Sequence, residues 1–158
     1  MSDLRIGQGF DVHAFSDDAD RPLILGGVRF DGATGLAGHS DADVVAHAVT
    51  DALLGAAGLG DIGSHFPDTD PALAGADSIA LLQQATDAVR RSGWRPTNVD
   101  CTVILEAPKL ASRRDEMQQR LSDAVGAPVT VKGKRAEGLG ALGRAEGVAC
   151  VAVALVQR

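Results

Sequence analysis

Strand-like and helix-like periodicities alternate along the whole chain, and no other feature of the sequence restricts its fold so strongly. Runs rich in Val, Ile and Leu with strand character occupy residues 5–12, 23–30, 99–106, 129–134 and 148–156. Between them, residues 42–57, 78–91 and 112–125 have helical spacing. Ser40 or Asp41 is the expected N-cap of the first helix and Gly58 its stop. The second is preceded by Asp77, places Ile79, Leu82, Ala85 and Val89 on one apolar face, and ends at Gly93. Gly126 followed by Pro128 closes the third. No repeat, low-complexity tract or Pro/Ser-rich linker interrupts the pattern, so all 158 residues are expected to form one α/β or α+β domain. Five aromatic residues, none of them Tyr, leave a core that must be built from small aliphatic side chains. One long irregular segment, residues 58–75, is expected to be functional or mobile.

The charge is unevenly spread. Residues 1–80 contain 3 basic and 13 acidic side chains and all four histidines, whereas residues 81–158 contain 12 basic and 8 acidic ones, within a net charge of −6. An acidic chain with no Lys/Arg stripe interleaved with aromatics is a poor nucleic-acid binder, although its basic half suits a small polyanion. The longest apolar run, residues 147–156, is about half the ~20 residues a membrane-spanning helix needs. The start lacks a basic region followed by an apolar one, so a soluble, unprocessed, cytoplasmic chain with no membrane partner is expected. Cys101 and Cys150 lie in apolar alternating stretches and read as buried thiols.

Asp11 and His13 stand two apart at the end of the first strand and therefore point to one side. On the first helix Asp43, His47 and Asp51 follow i, i+4, i+8 spacing along one face. Two histidines and one aspartate make a suitable Zn2+ ligand set with a fourth position open, and Asp43 and Asp51 are expected to orient the imidazoles. The alternative is a solvated helix face that happens to contain a histidine. Residues 132–147 combine glycines at 133, 138, 140, 143 and 147 with Lys132, Lys134, Arg135 and Arg144, which suits phosphate or, equally, a flexible turn with solvated charges. Neither a Walker A loop nor a dinucleotide-binding turn is present, because the strand-like run 148–156 follows the glycines. Glu137 inside this basic stretch fits a second divalent ion shared with phosphates, or an ion pair with Lys134 or Arg144. His65 is expected to be exposed and non-ligating.

An ordered series of motifs carries a resemblance. It comprises Gly7-x-Gly9-x-Asp11-x-His13-x-Phe15, Gly26-Gly27, the run 38–51, the stretch 54–63, Phe66-Pro67-Asp68-Thr69-Asp70-Pro71, Asn98-Val99-Asp100, Ala107-Pro108-Lys109, Glu137-Gly138-Leu139-Gly140 and Gly143-Arg144-Ala145-Glu146-Gly147. The chain resembles, over essentially its whole length, the 2-C-methyl-D-erythritol 2,4-cyclodiphosphate synthase family. The resemblance implies a mixed sheet with helices packed on one face, a homotrimer with active sites between subunits, and a cyclase of the non-mevalonate isoprenoid pathway that releases CMP. It further implies Zn2+ on Asp11, His13 and His47, and Mg2+ or Mn2+ on Glu137. Substrate contacts would come from His39 and Ser40, from Asp61, Gly63, Phe66, Asp68 and Asp70 over the methylerythritol end, from Leu105, Ala107, Pro108, Lys109 and Leu110 around cytidine, and from Lys134 and Arg144. His39 would aid catalysis, as would Arg135, which occupies the position of a family threonine: the usual Ala-Thr-Thr-Thr is Gly133-Lys134-Arg135-Ala136 here. The family's Phe-Thr before Gly-Arg is Ala141-Leu142.

Overall fold

The computed structural model of the chain describes residues 3–158. In chain order its elements are β1 (Leu4–Ala14), β2 (Leu23–Leu25), β3 (Val28–Phe30), α1 (Val44–Ala57), α2 (Ile62–His65), α3 (Ser78–Arg91), β4 (Arg95–Ile104), α4 (Arg114–Val125), β5 (Val129–Lys134), α5 (Gly140–Gly143) and β6 (Gly147–Gln157). A four-stranded mixed sheet runs β1-β6-β4-β5, antiparallel except for the parallel β4–β5 pair. A parallel pair needs a crossover, and α4 supplies it.

All three long helices cover one face of this sheet, as expected. Helix α1 packs across β1 and β6, α3 against α1 and α4, and α4 on β5. Alternate strand residues meet them: Val99, Cys101, Val103, Cys150, Ala152 and Ala154 are buried, both cysteines as free thiols. Their neighbours point the other way, and Ile6, Phe10 and Val12 are 73%, 52% and 50% exposed on the uncovered face. Among the described residues no helix is long and apolar enough to cross a membrane.

The tightest packing lies between β1 and α1. A Cβ on Gly7 would stand 2.0 Å from the Ala52 carbonyl oxygen, and one on Gly9 2.0 Å from that of Ala48. Helix α1 answers with small residues, Ala48, Ala52 and Ala56, so strand and helix backbones almost touch. The core of small aliphatic side chains expected from the composition is realised here. The two-residue period of β1 then carries the same face on to Asp11 and His13.

Several boundaries differ from the sequence expectations, and β4 starts four residues earlier than expected, at Arg95, and ends at Ile104. Residues 23–30 form not one strand but a hairpin of β2 and β3, a separate two-stranded sheet, because Gly26 and Gly27 turn the chain at φ +58° and +73°. The first helix begins at Val44 and its N-cap is Asp43, not Ser40 or Asp41, since the Asp43 carboxylate accepts from the N–H groups of Val45 and Ala46. The third begins at Arg114, after a turn at residues 111–113 that offers no side-chain cap. Gly58 and Gly126 end their helices in the left-handed conformation as expected, at φ +71° and +68°. The irregular segment 58–75 contains α2 and a 3-10 turn at Pro71–Leu73.

Asp43 is fully buried and links these features. Its two oxygens also accept from Gly26 N–H at 2.8 Å and Gly27 N–H at 2.6 Å, tying the hairpin turn to the start of α1. Burial, with the nearby Asp41 charge, pushes its carboxyl up to about 6 against the pull of these N–H donors. The folded chain therefore binds this proton more tightly than the unfolded one. The stability of wild type relative to Asp43→Asn is expected to fall as pH rises from about 4 through about 6, measured by urea denaturation across that range. Replacing Gly9 by Ala forces a Cβ into the α1 backbone and is expected to lower stability by about 3 kcal/mol, read from the same denaturation curves.

Candidate active site

The end of β1 and the second turn of α1 bring three ligand groups together. Asp11 Oδ2 lies 3.0 Å from His13 Nε2 and 2.9 Å from His47 Nδ1, and the two ring nitrogens are 3.4 Å apart. These are the cluster expected from the spacing, and among the described residues they form the one group of three side chains able to share a metal ion. All three side chains are largely shielded, 12–25% exposed. Burial works against the Asp11 charge, yet hydrogen bonds from His13 and His47 hold its carboxyl well below the usual carboxylate range. The hydrogen bond to Asp11 likewise raises His13 above the ordinary histidine value, against its own partial burial.

The donor chemistry fits a metal ion. His13 Nδ1 stands 2.7 Å from the Ala37 carbonyl oxygen, which can only accept, so Nδ1 carries a proton and Nε2, the nitrogen that bonds Asp11, is the one that would ligate a cation there. A carboxylate and two imidazole nitrogens so close together suit a cation between them.

The carboxylates expected to orient the imidazoles do other work. Asp43 holds the hairpin turn and the α1 cap, and Asp51 accepts from the Ile62 N–H at 2.7 Å, fixing the start of α2. Neither hydrogen-bonds an imidazole: backbone N–H groups claim both oxygens of Asp43 and one of Asp51. The partner of His47 is Ser78, whose Oγ lies 2.8 Å from Nε2, with Ser40 Oγ at 3.2 Å. Ser78 in turn donates to Asp41 at 2.5 Å. Arg21, also unmarked by any motif, donates to the carbonyls of Leu36, Gly38 and Ser40 and shapes the loop that carries His39.

The cluster forms one wall of a cavity of about 340 Å³. His39, Ser40, Gly63, Phe66 and Asp68 also line it. His39 Nε2 lies 2.8 Å from the Asp70 carbonyl oxygen and ties the segment after α2 to this wall. Asp61 and Asp70 are not on the cavity wall: their carboxylates cap α2 and the 3-10 turn. His65 is exposed, with Nε2 2.9 Å from the Leu59 carbonyl oxygen.

A second cavity, of about 270 Å³, shares no lining residue with the first. Leu105, Pro108 and Leu110 give it apolar walls, and Lys109, Lys134 and Arg135 bring positive charge. Ala107 faces a neighbouring hollow with Phe15 and Ala145. At its rim Glu106 accepts from Arg135 Nε and Nη2 at 3.2 and 3.1 Å and from the Ala136 N–H at 2.7 Å. Although partial desolvation opposes it, these donors keep the Glu106 carboxyl below its usual range. Glu106 carries no motif and went unremarked in the sequence, where only its place beside Leu105 and Ala107 marks it. Glu137, which follows Ala136, has φ +54° and makes no ion pair among the described residues. Arg144 pairs with Glu146 at 2.7 Å and joins neither cavity.

A mixed α/β scaffold with a two-histidine, one-carboxylate cluster able to hold a metal ion at one cavity and a cationic lining at another defines the class of protein. Residues 4–157 match the family model described as the YgbB family. The chain is 57% identical to the 2-C-methyl-D-erythritol 2,4-cyclodiphosphate synthase of Bordetella petrii over 98% of its own length and 96% of that protein, and 53% identical to that of Rubrobacter xylanophilus over 100% and 98%. It superposes on the bifunctional IspDF of Campylobacter jejuni with TM-score 0.94 at 42% identity, covering 99% of this chain and 43% of that one. The CDP complex of IspF from Plasmodium falciparum gives TM-score 0.83 at 32% identity, over 97% and 95% of the two chains. The chain belongs to the YgbB family of 2-C-methyl-D-erythritol 2,4-cyclodiphosphate synthases.

Calorimetric titration of the metal-free chain with Zn2+ is expected to show one tight site per chain. Asp11→Ala, His13→Ala and His47→Ala should each weaken it by at least about 100-fold, since each removes one of three ligands.

Proposed function

We propose that the chain converts 4-diphosphocytidyl-2-C-methyl-D-erythritol 2-phosphate to 2-C-methyl-D-erythritol 2,4-cyclodiphosphate and CMP, in non-mevalonate isoprenoid precursor synthesis. The observation that carries this reading is the convergence of Asp11, His13 and His47 on a cavity wall, in a chain with a separate apolar, cation-rimmed cavity. In the reaction an oxygen of the substrate's own 2-phosphate attacks the β-phosphorus. The bond from that phosphorus to the oxygen bridging it to the α-phosphorus breaks, and CMP leaves with the bridging oxygen. The nucleophile belongs to the substrate, so the protein's work is to fold the substrate back on itself and to oppose crowded negative charge.

Asp11, His13 and His47 would hold Zn2+, and Glu137 would hold Mg2+ or Mn2+ together with substrate phosphates. Ions held there would supply positive charge against the substrate's phosphate oxygens. His39 and Ser40 contact the substrate from the first cavity, and His39 assists the transition state. Gly63, Phe66 and Asp68 cover the methylerythritol end, with Asp61 and Asp70 holding the turns that bear them. Leu105, Ala107, Pro108, Lys109 and Leu110 receive cytidine; solved relatives with CDP bound support a cytidine nucleotide as ligand. Lys134, Arg135 and Arg144 meet phosphate, Arg135 from the cavity rim where Glu106 steadies it.

Two cavities with no lining residue in common support a site completed by a neighbouring subunit, and the exposed apolar face of β1 and β6 supports a homotrimer packed through its sheets. Phosphorus NMR of the chain incubated with the diphosphocytidyl substrate, Zn2+ and Mg2+ is expected to show a cyclic diphosphate and CMP, from a species of about three times 16.2 kDa in solution. Linear phosphate products would instead mark a hydrolase using bound water, and absent turnover a binding protein.

A further inference from the structure

We propose that Arg21 is a positioning residue for the cyclisation: its guanidinium takes the place of a neighbouring strand along residues 36–40 and so holds His39 and Ser40 at the first cavity. The inference rests on the proposed function and adds to it a residue that lies outside the cavity wall.

Residues 36–40 belong to no helix or strand, yet they carry part of that wall, so each of their main-chain carbonyls needs a partner from elsewhere. The partners alternate. The Ala37 carbonyl meets His13 Nδ1 at 2.7 Å and the His39 carbonyl accepts the Gly75 N–H at 2.8 Å. The three others all turn to Arg21: its Nε donates to Leu36, and its Nη2 donates to Gly38 at 3.0 Å and to Ser40 at 2.5 Å. One side chain thus satisfies one whole side of the segment, a task for which the flat fork of N–H donors on a guanidinium is suited and a lysine ammonium is not.

Charge pairing is not what Arg21 contributes. Among the described residues it makes no ion pair, whereas Arg29, which lines the same polar hollow of about 280 Å³, pairs with Asp31. Close backbone contact brings Arg21 within reach, since a Cβ on Gly35 would stand 2.4 Å from the Arg21 carbonyl oxygen. On the other side a Cβ on Gly38 would stand 3.2 Å from His13 Cε1, so the segment has little slack. Any shift in it moves His39, whose ring holds the Asp70 carbonyl, and Ser40, whose Oγ lies 3.2 Å from His47 Nε2.

Kinetics and histidine NMR of the Arg21→Ala chain test the proposal together. With Zn2+ and Mg2+ present, kcat on the diphosphocytidyl substrate is expected to fall about 10- to 100-fold per folded chain, as for a displacement of about 1 Å, while KM changes by less than about threefold. The Cε1–H signal of His39 should shift, and that of the exposed His65 should stay in place. Added guanidinium ion should return the His39 signal and kcat toward wild type, and Arg21→Lys should recover only part of the loss. Arg21→Gln, which keeps a planar donor, replaces the Ala variant if that chain does not fold. A folded variant with kcat within about twofold of wild type, or with kcat lowered and the His39 signal unmoved, overturns the inference. A loss that neither guanidinium nor Lys reduces also overturns it, marking a packing role alone. A wild-type chain that makes no cyclic product overturns the proposed function instead, and the His39 signal still decides whether Arg21 holds the segment.

Discussion

Everything at the first cavity depends on how closely α1 lies against β1. Gly7 and Gly9 on the strand and Ala48, Ala52 and Ala56 on the helix remove the side chains that normally hold a helix well above a sheet. The two backbones then run together toward the strand end, where the same faces carry Asp11 and His13 on one side and His47 on the other. With larger residues at the glycines, a carboxylate oxygen could not stand 2.9 and 3.0 Å from two imidazole nitrogens. Packing and ligand geometry are one constraint here, written as glycine and alanine where most sheet–helix contacts would use Val or Leu.

Residue spacing revealed what depends on neighbours in sequence. The two-residue period of β1 paired Asp11 with His13, the helical period set His47 on the inner face of α1, and Asp77, Gly58 and Gly126 marked helix ends from local backbone chemistry. What it concealed depends on distant partners. The Gly26-Gly27 turn inside an otherwise continuous apolar run is held by Asp43, 17 and 16 positions away. Ser78 meets His47 across 31 positions and Asp41 across 37, and Glu106 meets Arg135 across 29. Ser78 and Asp41 look in sequence like ordinary helix-start residues, and Asp43 and Asp51 look like ligand supports. Only the fold shows that the roles are the other way round.

The uneven charge of the chain acquires a spatial meaning. The acidic, histidine-bearing half builds the cavity of the candidate metal ligands, and the basic half builds the cation-rimmed one, yet within one chain the two have no lining residue in common. On the proposed function they meet across a subunit boundary, which makes assembly part of the active site. The replacement of the family's threonine run by Gly133-Lys134-Arg135-Ala136 is accompanied by Glu106, which accepts from Arg135 and from the backbone N–H beside Glu137. That carboxylate keeps a long cation at the rim and steadies the backbone that presents Glu137.

The proposed function depends first on a cation-binding point where β1 and α1 converge. Anomalous diffraction at the zinc edge, on crystals of the zinc-loaded chain, tests it most directly. One peak per chain among Asp11 Oδ2, His13 Nε2 and His47 Nδ1 is the expected result. Zinc bound anywhere else, or held by only one of these three side chains, would contradict it.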